Sequence, residues 1–557
     1  MSLPDKRTAF GASEIALIGL IVLGATLRLW DIGGKAIWLD EAYSIWIANH
    51  SLWQGVRLVA QVDFNPPLYY VFLSLWQSVF GDGQVAVRIL SALFSTAAIP
   101  FLFSFTRRIC DDKLVALVAV LLLVFSSFQV HYAQETRMYS LLVLVAAMAM
   151  FFAVGCLDDL HERRLAWRDW LRPRSWRQPG TGMAVGLSVS QTAIMLTHNT
   201  ATVFFPLALN GTVFGIWLYQ RISNRPTSMR AISSPWFLGN WIRIQAVTLL
   251  LWLPWAIPFA LQGMRADQDF WLDAPSISTF ITTINNFNFA HIPQWIHTRA
   301  VFLLYAGLVL LGILNWRRRL AWVMLMLAFM SVPFVGEALV SLRRPIFIDR
   351  TLIWTTLAYH VLVASGIIGL ARASLSKTPA RQMSNGGRGS NSAVDLACGT
   401  MAVAALSLLI GYSVISLHNY YANYEKEEWD VAAKYLAGRV NSREMVLFHS
   451  SWTQIPFEYY ARDYDEFDVE LRGLPHDLID SGLLEEKMSP DFFPRLDELV
   501  RDKLRVWLVY SHANHTDREA LIPDWFSTGW DETSRKELRG VEIYEYKKKQ
   551  PHGPPDN

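Results

Sequence analysis

Long apolar runs recur along the first three quarters of the chain and are separated by short polar segments. Most of them approach the ~20 residues that an α-helix needs to cross about 30 Å of hydrocarbon. The runs stop near residue 417. From about residue 419, helix-like periodicity (426–439 and 452–462) alternates with strand-like periodicity (445–449, 505–510 and 541–546). The pattern predicts a membrane helical bundle over residues 1–418 and an α/β domain over residues 419–557.

Basic residues indicate the orientation of this bundle, because arginine and lysine prefer cytoplasmic loops. For all the basic connections to lie inside, the apolar run 66–80 cannot cross the membrane. It is short, begins at paired prolines and ends at Gly81, which favours a re-entrant or interfacial helix. The basic connections lie at 107–113, 163–177, 221–230, 317–319 and 372–388.

Placing all the basic connections in the cytoplasm predicts eleven spans in a multi-pass protein of the cell inner (plasma) membrane. The N-terminus is expected in the cytoplasm, and the C-terminal domain is expected outside it. The polar segments 129–137 and 342–350 then share the outer face with the first outer loop, 30–85, and with the loop 262–297. The spans are predicted at 14–29, 86–106, 114–131, 138–157, 182–198, 200–220, 240–261, 299–315, 321–341, 351–371 and 395–417.

Composition narrows the classes of function. Of the 557 residues, 52% are hydrophobic and 18% are charged, which is too apolar for a soluble enzyme and too charged for a chain wholly within lipid. A net charge of +2 gives no field that would attract nucleic acid. Cys110, Cys156 and Cys398 have no spacing typical of a zinc site or a disulfide framework, so no metal held by thiolates is expected.

Two adjacent acids, Asp40 and Glu41, follow the first span in the run Trp38-Leu39-Asp40-Glu41-Ala42. Carboxylates close to hydrocarbon are costly to desolvate, which makes them candidates for function. Alternatively, they cap the helix that follows and interact with its dipole. The residues leave both interpretations open, because a general base can also be a cap.

Arginines on the expected outer face form a second group of candidates. Arg137 begins the fourth span, and Arg344 and Arg350 lie where the charge rule disfavours arginine. An anionic partner such as a lipid phosphate would explain them, because a guanidinium can bind phosphate through two hydrogen bonds. The alternatives are that Arg137 reaches lipid headgroups or pairs with Glu135, and that Asp349 orients or neutralises Arg350.

A third group lies in Asp63-Phe64-Asn65-Pro66-Pro67-Leu68-Tyr69-Tyr70. The prolines fix the entry to the interfacial helix, and tyrosines suit the level of the lipid headgroups. That structural role is sufficient without chemistry. Arg88 and the pair His198-Asn199 are lesser candidates, for which local packing or hydrogen bonding is expected.

The segments around Asp40, Asp63, Arg137 and Arg350, in this order along the chain and on one face, resemble the protein-mannosyltransferase-like branch of the C-type (GT-C) membrane glycosyltransferases, a group that includes aminoarabinose and other lipopolysaccharide sugar transferases. The resemblance is strongest in Trp38-Leu39-Asp40-Glu41-Ala42, Asn65-Pro66-Pro67-Leu68-Tyr69-Tyr70 and Gln134-Glu135-Thr136-Arg137-Met138-Tyr139. The resemblance covers about residues 10–370 and returns at Glu427-Glu428-Trp429. It implies a helical membrane enzyme that takes a sugar from a polyprenyl or dolichyl phosphate on the non-cytoplasmic side.

Carried over residue by residue, the resemblance implies that Asp40 deprotonates an acceptor hydroxyl, with Glu41 as a second catalytic candidate. Arg137, Arg350 and Arg344 would bind the donor phosphate, and a single displacement would invert the anomeric carbon. The family usually has His or Lys in place of Asn65, and Tyr in place of Thr351. The residues expected to contact substrate are Asp63, Asn65, Tyr69, Gln134 and Glu135.

Members of this branch generally do without a divalent metal, so no cofactor is expected, although Asp40, Glu41 and Glu135 could gather one. The expected partners are a polyprenyl-phosphate sugar donor, an acceptor that is a lipid, a cell-envelope glycan or a protein, and membrane lipids, but not nucleic acid.

A transporter or flippase of lipid-linked sugars is the main alternative, since it would also need outer arginines. Such proteins typically contain inverted repeats and helices broken near the bilayer centre. The chain shows no repeat, and its acids lie in an extended loop. A membrane anchor for a binding domain is a third interpretation, but an anchor does not require eleven spans.

Overall fold

The structure is a computed structural model that describes residues 11–160, 164–178, 180–223, 227–265, 274–375, 391–464, 467, 469–477 and 487–549. Helices make up the described chain as far as Asn423, and a five-stranded sheet lies in the part that follows. The predicted fold class, a membrane helical bundle followed by an α/β domain, is therefore confirmed.

Eight helices among the described residues are long and apolar enough to cross a membrane. A ninth span is formed if Lys113–Phe125 and Ser127–Ala133, which meet at 59°, are one broken helix. Ser126 lies at the break, where its side chain accepts a hydrogen bond from the backbone N–H of Gln129. The eight helices are Ala12–Leu29, Gln84–Cys110, Tyr139–Asp159, Asn199–Ser223, Phe237–Arg265, Arg317–Val340, Asp349–Arg372 and Cys398–Asn423.

The other two predicted spans are shorter helices, Thr181–Met195 of 15 residues and Arg299–Asn315 of 17 residues. The second crosses the helix Thr356–Leu375 at very close range. A Cβ added to Gly312 would lie 2.1 Å from the carbonyl oxygen of Leu362. The crossing therefore depends on small residues, as is common between membrane helices.

Shorter elements connect the spans. Leu68–Phe80, with 13 residues, is the short apolar helix expected after the paired prolines. The other connecting α-helices are Leu39–Ala48, Leu52–Val62, Arg168–Leu171 and Ile277–Phe289, and the connecting 3-10 helices are Pro173–Arg177 and Arg230–Ser233. Three further 3-10 helices lie within spans: Leu253–Trp255, Arg317–Arg319 and Asp349–Thr355. Within the longer spans, the continuous α-helices are Phe237–Trp252, Ala256–Arg265, Leu320–Val340, Thr356–Leu375 and Asn391–Asn423.

The C-terminal sheet has the strand order β2-β1-β3-β5-β4. β1 is parallel to β2 and β3, while β5 is antiparallel to β3 and β4. The strands are β1 (Met445–His449), β2 (Glu470–Gly473), β3 (Arg505–Tyr510), β4 (Trp530–Leu538) and β5 (Val541–Lys548). The helical elements around them are Trp429–Ala437, Ser451–Thr453, Gln454–Ala461, Pro490–Phe492, Phe493–Val500, Ala513–Thr516 and Leu521–Gly529.

Alternating residues of β1 face two different hydrophobic clusters, as the pleat requires. Val446 and Phe448 pack with Phe457 of the helix that leads to β2, while Leu447 packs with Leu496 of the helix that leads to β3. The two crossover helices thus cover opposite faces of the sheet. The direction of winding therefore reverses between β1 and β3.

The C-terminal domain rests directly on the first outer loop. Trp452, just before the helix Gln454–Ala461, packs edge-on against Tyr43 with ring centroids 5.4 Å apart. Arg462, just after that helix, forms a 2.5 Å ion pair with Asp82. Trp452 also belongs to the main hydrophobic core of the membrane part. The core is therefore continuous across the boundary between the two parts.

Described residues of three basic connections lie at the end of the bundle opposite to the first loop. Arg108 forms an ion pair with Asp159 at 2.5 Å, and Arg372 forms one with Asp112 at 2.5 Å. Arg319 donates to the carbonyl oxygen of Ile109 at 2.5 Å. The structure therefore separates a basic end from the end that carries the acidic loop.

Candidate active site

The helix Leu39–Ala48, called the first-loop helix below, carries Asp40 and Glu41 in its first turn. Negative charge is favoured there by the helix dipole. Neighbouring residues of a helix point in different directions, about 100° apart. Asp40 is accordingly 26% exposed, whereas Glu41 is 0% exposed. The two acids thus lie in different surroundings despite being adjacent.

Asp40 faces two arginines from distant parts of the chain. Its Oδ2 lies 3.3 Å from Nη1 of Arg350 and 3.8 Å from Nε of Arg137. Arg137 Nη1 also donates to the carbonyl oxygen of Asp40 at 3.2 Å and to Oγ of Ser44 at 3.1 Å. The structure thus brings together the acid and the two arginines that the sequence pointed to.

This group carries more positive than negative charge. One carboxylate faces two guanidiniums, and both arginines are largely buried. Burial, with the nearby charges of Arg137 and Arg350, lowers the pKa of His198 to about 3, so this histidine is neutral at physiological pH. The excess positive charge suits an anionic ligand.

The segment that carries Arg350 is anchored by buried hydrogen bonds. Oγ1 of Thr351 donates to Glu337 at 2.6 Å. Asp349 accepts a hydrogen bond from Nδ2 of Asn286 at 2.6 Å. The guanidinium of Arg350 lies 5.8 Å from the centre of the Tyr139 ring. These contacts hold Arg350 close to Asp40.

Glu41 belongs to a buried ionic cluster formed by Glu41, Arg88, Glu135 and Lys426. Arg88 donates to both carboxylate oxygens of Glu41, at 2.8 and 2.7 Å, and Lys426 donates to Glu41 at 2.8 Å. Lys426 also lies 3.2 Å from Glu135. Burial would raise the pKa of Glu41, but Arg88 and Lys426 hold it below the ordinary value. These contacts favour a structural role for Glu41.

Glu135 is the second acid of the cluster, and His131 Nε2 lies 3.1 Å from its Oε1. Burial would raise the pKa of Glu135, yet Lys426 and His131 hold it well below the ordinary value. His131 is in turn 2.7 Å from His291, in the loop after the helix Ile277–Phe289. The cluster thus joins three outer segments and the start of the C-terminal domain.

The sequence does not point to Lys426, and for Arg88 it predicts only local packing or hydrogen bonding. Arg88 does bond to backbone, since it donates to the carbonyl oxygens of Ile32, Lys35 and Ala36. In addition, it neutralises Glu41. The sequence signal for Lys426 is its place directly before Glu427-Glu428-Trp429, where the resemblance noted above returns.

Asp40, Glu41 and Glu135 do not form a metal site in this arrangement. Among the described residues, no group of three or more His, Cys, Asp or Glu side chains could hold a metal ion. Glu41 and Glu135 share the ammonium group of Lys426, and Asp40 faces guanidiniums, so a metal would have to displace these cations. That the protein needs no cofactor stays a prediction.

The candidates in the segment 63–70 form hydrogen bonds within the protein. Asp63 accepts hydrogen bonds from the backbone N–H groups of Phe64 and Asn65, from the Asn65 side chain and from the hydroxyl of Tyr70. Tyr69 bonds Ser91 at 3.0 Å. Tyr69 and Tyr70 are buried within the protein, at 0% and 3% exposed, and their expected place at the headgroup level stays a prediction. Their hydroxyl groups form hydrogen bonds with Ser91 and Asp63, so burying the two side chains leaves no unsatisfied hydroxyl.

Gln134 and Arg344 hold outer segments together. Nε2 of Gln134 donates to the carbonyl oxygens of Arg28 and Trp30, at 3.1 and 2.6 Å, and so satisfies the end of the first span. Arg344 donates to the carbonyl oxygen of Gly263 at 3.2 Å and is not part of the ion pair with Asp40. The substrate and phosphate roles of these two residues stay predictions.

This chain is similar to several known membrane glycosyltransferases. The family model described as dolichyl-phosphate-mannose-protein mannosyltransferase matches residues 65–210. Undecaprenyl phosphate-alpha-4-amino-4-deoxy-L-arabinose arabinosyl transferase 2 of Pseudomonas fluorescens is 25% identical over 287 residues, which are 48% of this chain and 43% of that protein. The match thus spans less than half the length of this relative.

Solved structures share the architecture over nearly the whole chain. ArnT from Cupriavidus metallidurans in the apo state has a TM-score of 0.58 at 13% identity, over 95% of this chain and 97% of its own. The oligosaccharyltransferase AglB from Archaeoglobus fulgidus has a TM-score of 0.54 at 12% identity, over 98% of this chain and 75% of its own. The chain therefore has the C-type membrane glycosyltransferase fold, which confirms the resemblance inferred from the motifs.

Proposed function

We propose that this membrane protein is a glycosyltransferase that moves a sugar from a polyprenyl-phosphate donor to an acceptor hydroxyl at the outer face of the cell inner membrane. The observation that carries the proposal is the meeting of Asp40 with Arg137 and Arg350. A lipid-phosphate donor is further supported by a similar structure, ArnT from Cupriavidus metallidurans bound to undecaprenyl phosphate, with a TM-score of 0.56 at 14% identity.

In the proposed reaction, Asp40 takes the proton of the acceptor hydroxyl as that oxygen bonds to the anomeric carbon of the sugar. The bond from the anomeric carbon to the phosphate oxygen breaks, and its electron pair leaves with the lipid phosphate. Arg137 and Arg350 stabilise the negative charge that develops on this phosphate. A single displacement inverts the anomeric centre.

The remaining predicted site residues would act around this centre. Glu41 and Glu135, inside the buried ionic cluster, would fix the first-loop helix and the segment before Arg137. Asp63, Asn65 and Tyr69 have protein partners, which supports a role in shaping the acceptor side. We assign Arg344 a phosphate contact at the rim, because it lies on the same loop as Arg350.

Orientation is part of the proposal. Arg108, Arg319 and Arg372 lie at one end of the bundle, which the positive-inside rule assigns to the cytoplasm. The Asp40 group and the C-terminal domain lie at the other end and would therefore face the outside. The acceptor would be a lipid, a cell-envelope glycan or a protein on that side.

The test is sugar transfer by the purified protein from a polyprenyl-phosphate hexose to a cell-envelope extract. Asp40→Asn is expected to lower the rate by roughly 10²- to 10⁴-fold, because it removes the base without changing the size of the side chain. Asp31→Asn is the matched control, since Asp31 is an exposed acid of the same loop with a φ of 52° that asparagine also tolerates.

Full activity of Asp40→Asn would remove Asp40 as the base, and a retained anomer in the product would exclude the single displacement. Movement of the lipid-linked sugar across a liposome bilayer without transfer would instead support the transporter alternative.

A further inference from the structure

Glu427, in the linker that joins the last span to the C-terminal domain, contacts the start of the first-loop helix. Its Oε2 accepts a hydrogen bond from the backbone N–H of Leu39 at 3.1 Å. Leu39 is the first residue of that helix, and Trp38, at the N-cap position, provides no side-chain cap. The first N–H groups of a helix need an acceptor, and a carboxylate is the acceptor that the helix dipole favours. Glu427 thus caps the helix from 388 residues away.

Glu427 is itself held by the C-terminal domain. Nε2 of His512 lies 3.0 Å from its Oε1, and Nε1 of Trp429 donates to its Oε2 at 2.7 Å. Burial would raise the pKa of Glu427, but His512 and Trp429 hold it below the ordinary value, so Glu427 is ionised at neutral pH. Contacts with His512 and Trp429 therefore fix the position of the carboxylate that accepts the hydrogen bond from Leu39.

His512 stands at the carboxyl end of β3, beside the carboxyl end of β1. The winding of the sheet reverses between these two strands, which is where open α/β sheets present their functional edge. In this protein that edge is directed at the first-loop helix. A continuous chain of contacts thus runs from β3 through His512 and Glu427 to Leu39.

A second contact from the same linker reaches the other side of the helix. Lys426, the residue before Glu427, donates to the carboxylate of Glu41 at 2.8 Å. Two consecutive linker residues thus hold the first turn, one through the backbone of Leu39 and one through a side chain. Asp40 lies between the two points that are held.

We infer that the C-terminal domain positions Asp40, and that Glu427 is the positioning residue through which it does so. This inference rests on the proposed function. With Leu39 fixed, the first turn keeps Asp40 against Arg137 and Arg350, so the base is aligned before substrate binds. Because Glu427 bonds the backbone of Leu39 and not the arginines of the phosphate group, its loss affects the chemical step more than donor binding.

The kinetic test compares Glu427→Ala with Glu427→Gln in the full-length protein. Glu427→Ala is expected to lower kcat by about tenfold to a hundredfold while the donor KM changes by less than about twofold. Glu427→Gln keeps an oxygen for Leu39 and is expected to retain most of kcat. Glu425→Ala is the matched control, because Glu425 is 47% exposed in the same linker. Unchanged kcat in Glu427→Ala, or a change confined to KM, would overturn the inference.

Hydrogen exchange gives a readout that needs no activity. In Glu427→Ala, peptides that contain Leu39 to Glu41 are expected to exchange faster, while peptides from the span Tyr139–Asp159 keep the wild-type rate. Glu427→Gln and Glu425→Ala are expected to match the wild type. Equal protection of Leu39 in all four proteins would contradict the cap.

The two readouts separate this inference from the proposed function. A wild-type protein that transfers no sugar from any lipid-phosphate donor refutes the function, whereas loss of Leu39 protection in Glu427→Ala still establishes the cap. If Glu427→Ala does not fold, His512→Ala replaces it, because that change frees one oxygen of Glu427 but leaves the carboxylate in place. It is expected to give a smaller effect in the same direction, and no effect in either readout would count against the inference.

Discussion

Asp40 and Glu41 illustrate how one residue step on a helix separates two kinds of chemistry. Glu41 is enclosed by Arg88 and Lys426, so its charge is balanced and out of reach of solvent. Asp40 keeps 26% of its side-chain surface exposed beside two arginines. Only the second environment leaves a carboxylate able to take a proton from an incoming hydroxyl. The ion pairs of Glu41 instead hold the helix turn that carries Asp40.

The phosphate assignment predicts unequal effects for arginines on the outer face. Arg137→Ala and Arg350→Ala are each expected to lower kcat/KM for the donor by on the order of 10²-fold, because each removes a charge aimed at the leaving phosphate. Arg343→Ala is the control on the same loop, since Arg343 is exposed, and Arg317→Ala is the control at the basic end. The measurement is steady-state kinetics with varied donor concentration. Equal values of kcat/KM in the two site variants and the two controls would contradict the assignment.

Lys426→Met is expected to destabilise the protein by about 3 kcal/mol, because Glu41 and Glu135 would both lose the cation that they share in a buried site. Thermal unfolding in detergent measures the change. Lys434→Met, an exposed lysine on the next helix, is expected to leave the midpoint unaltered. Lys426→Arg is expected to recover part of the stability; a midpoint equal to the wild type in Lys426→Met would refute the charge balance.

At the scale of elements, apolar periodicity predicted the buried structure well. The strand-like segments 445–449 and 505–510 coincide with β1 and β3, and 541–546 lies within β5. β4 was not predicted because it is an edge strand whose residues are mostly exposed on both faces, so it carries no alternation. β2 has only four residues, too few for a period to show. The bend at Ser126 left no signal in hydropathy alone.

His291, in the loop after the helix Ile277–Phe289, is expected to make the folded protein less stable in acid. Burial, with the charge of His131 nearby, lowers the pKa of His291 from 6.5 to about 2. The unfolded chain therefore takes up a proton first as the pH falls, so the stabilisation is complete above 6.5 and is lost below it. The expected loss is on the order of 1 kcal/mol at about pH 5.5.

Thermal unfolding midpoints at about pH 7.5 and about pH 5.5 check this expectation. His291→Asn is expected to reduce the difference between the two midpoints. His418→Asn, which changes an exposed histidine of the last span, is expected to retain the wild-type difference. An unchanged difference in His291→Asn would rule out His291 as the source.

At the scale of the whole molecule, sequence reasoning located Asp40, Arg137 and Arg350 but not the residues that hold them. Periodicity and loop charge report on neighbours along the chain. The contact of Lys426 with Glu41 joins residues 385 positions apart, and that of Glu427 with Leu39 joins residues 388 apart. Nothing local marks such pairs, so they emerge only from the fold.

The separation of a basic end from the end with Asp40 predicts the orientation of the chain. A reporter enzyme that is active only outside the cytoplasm is expected to be active when fused within the C-terminal domain, and inactive when fused after Arg319. Both fusions are made in the full-length chain, and cell-surface labelling provides a second readout. Activity at both positions, or at the second alone, would overturn the orientation.

The place of Lys426 along the chain also bears on how the protein is made. Ribosomes work from the N-terminus, so Glu41 and Glu135 enter the membrane hundreds of residues before their shared ammonium group is synthesised and exported. Until then Glu41 is paired with Arg88 and Glu135 with His131, without the ammonium group that joins the two acids. The ionic cluster is therefore complete only after the linker has been synthesised, and a chain halted before Lys426 would leave Glu41 and Glu135 without the cation that they share.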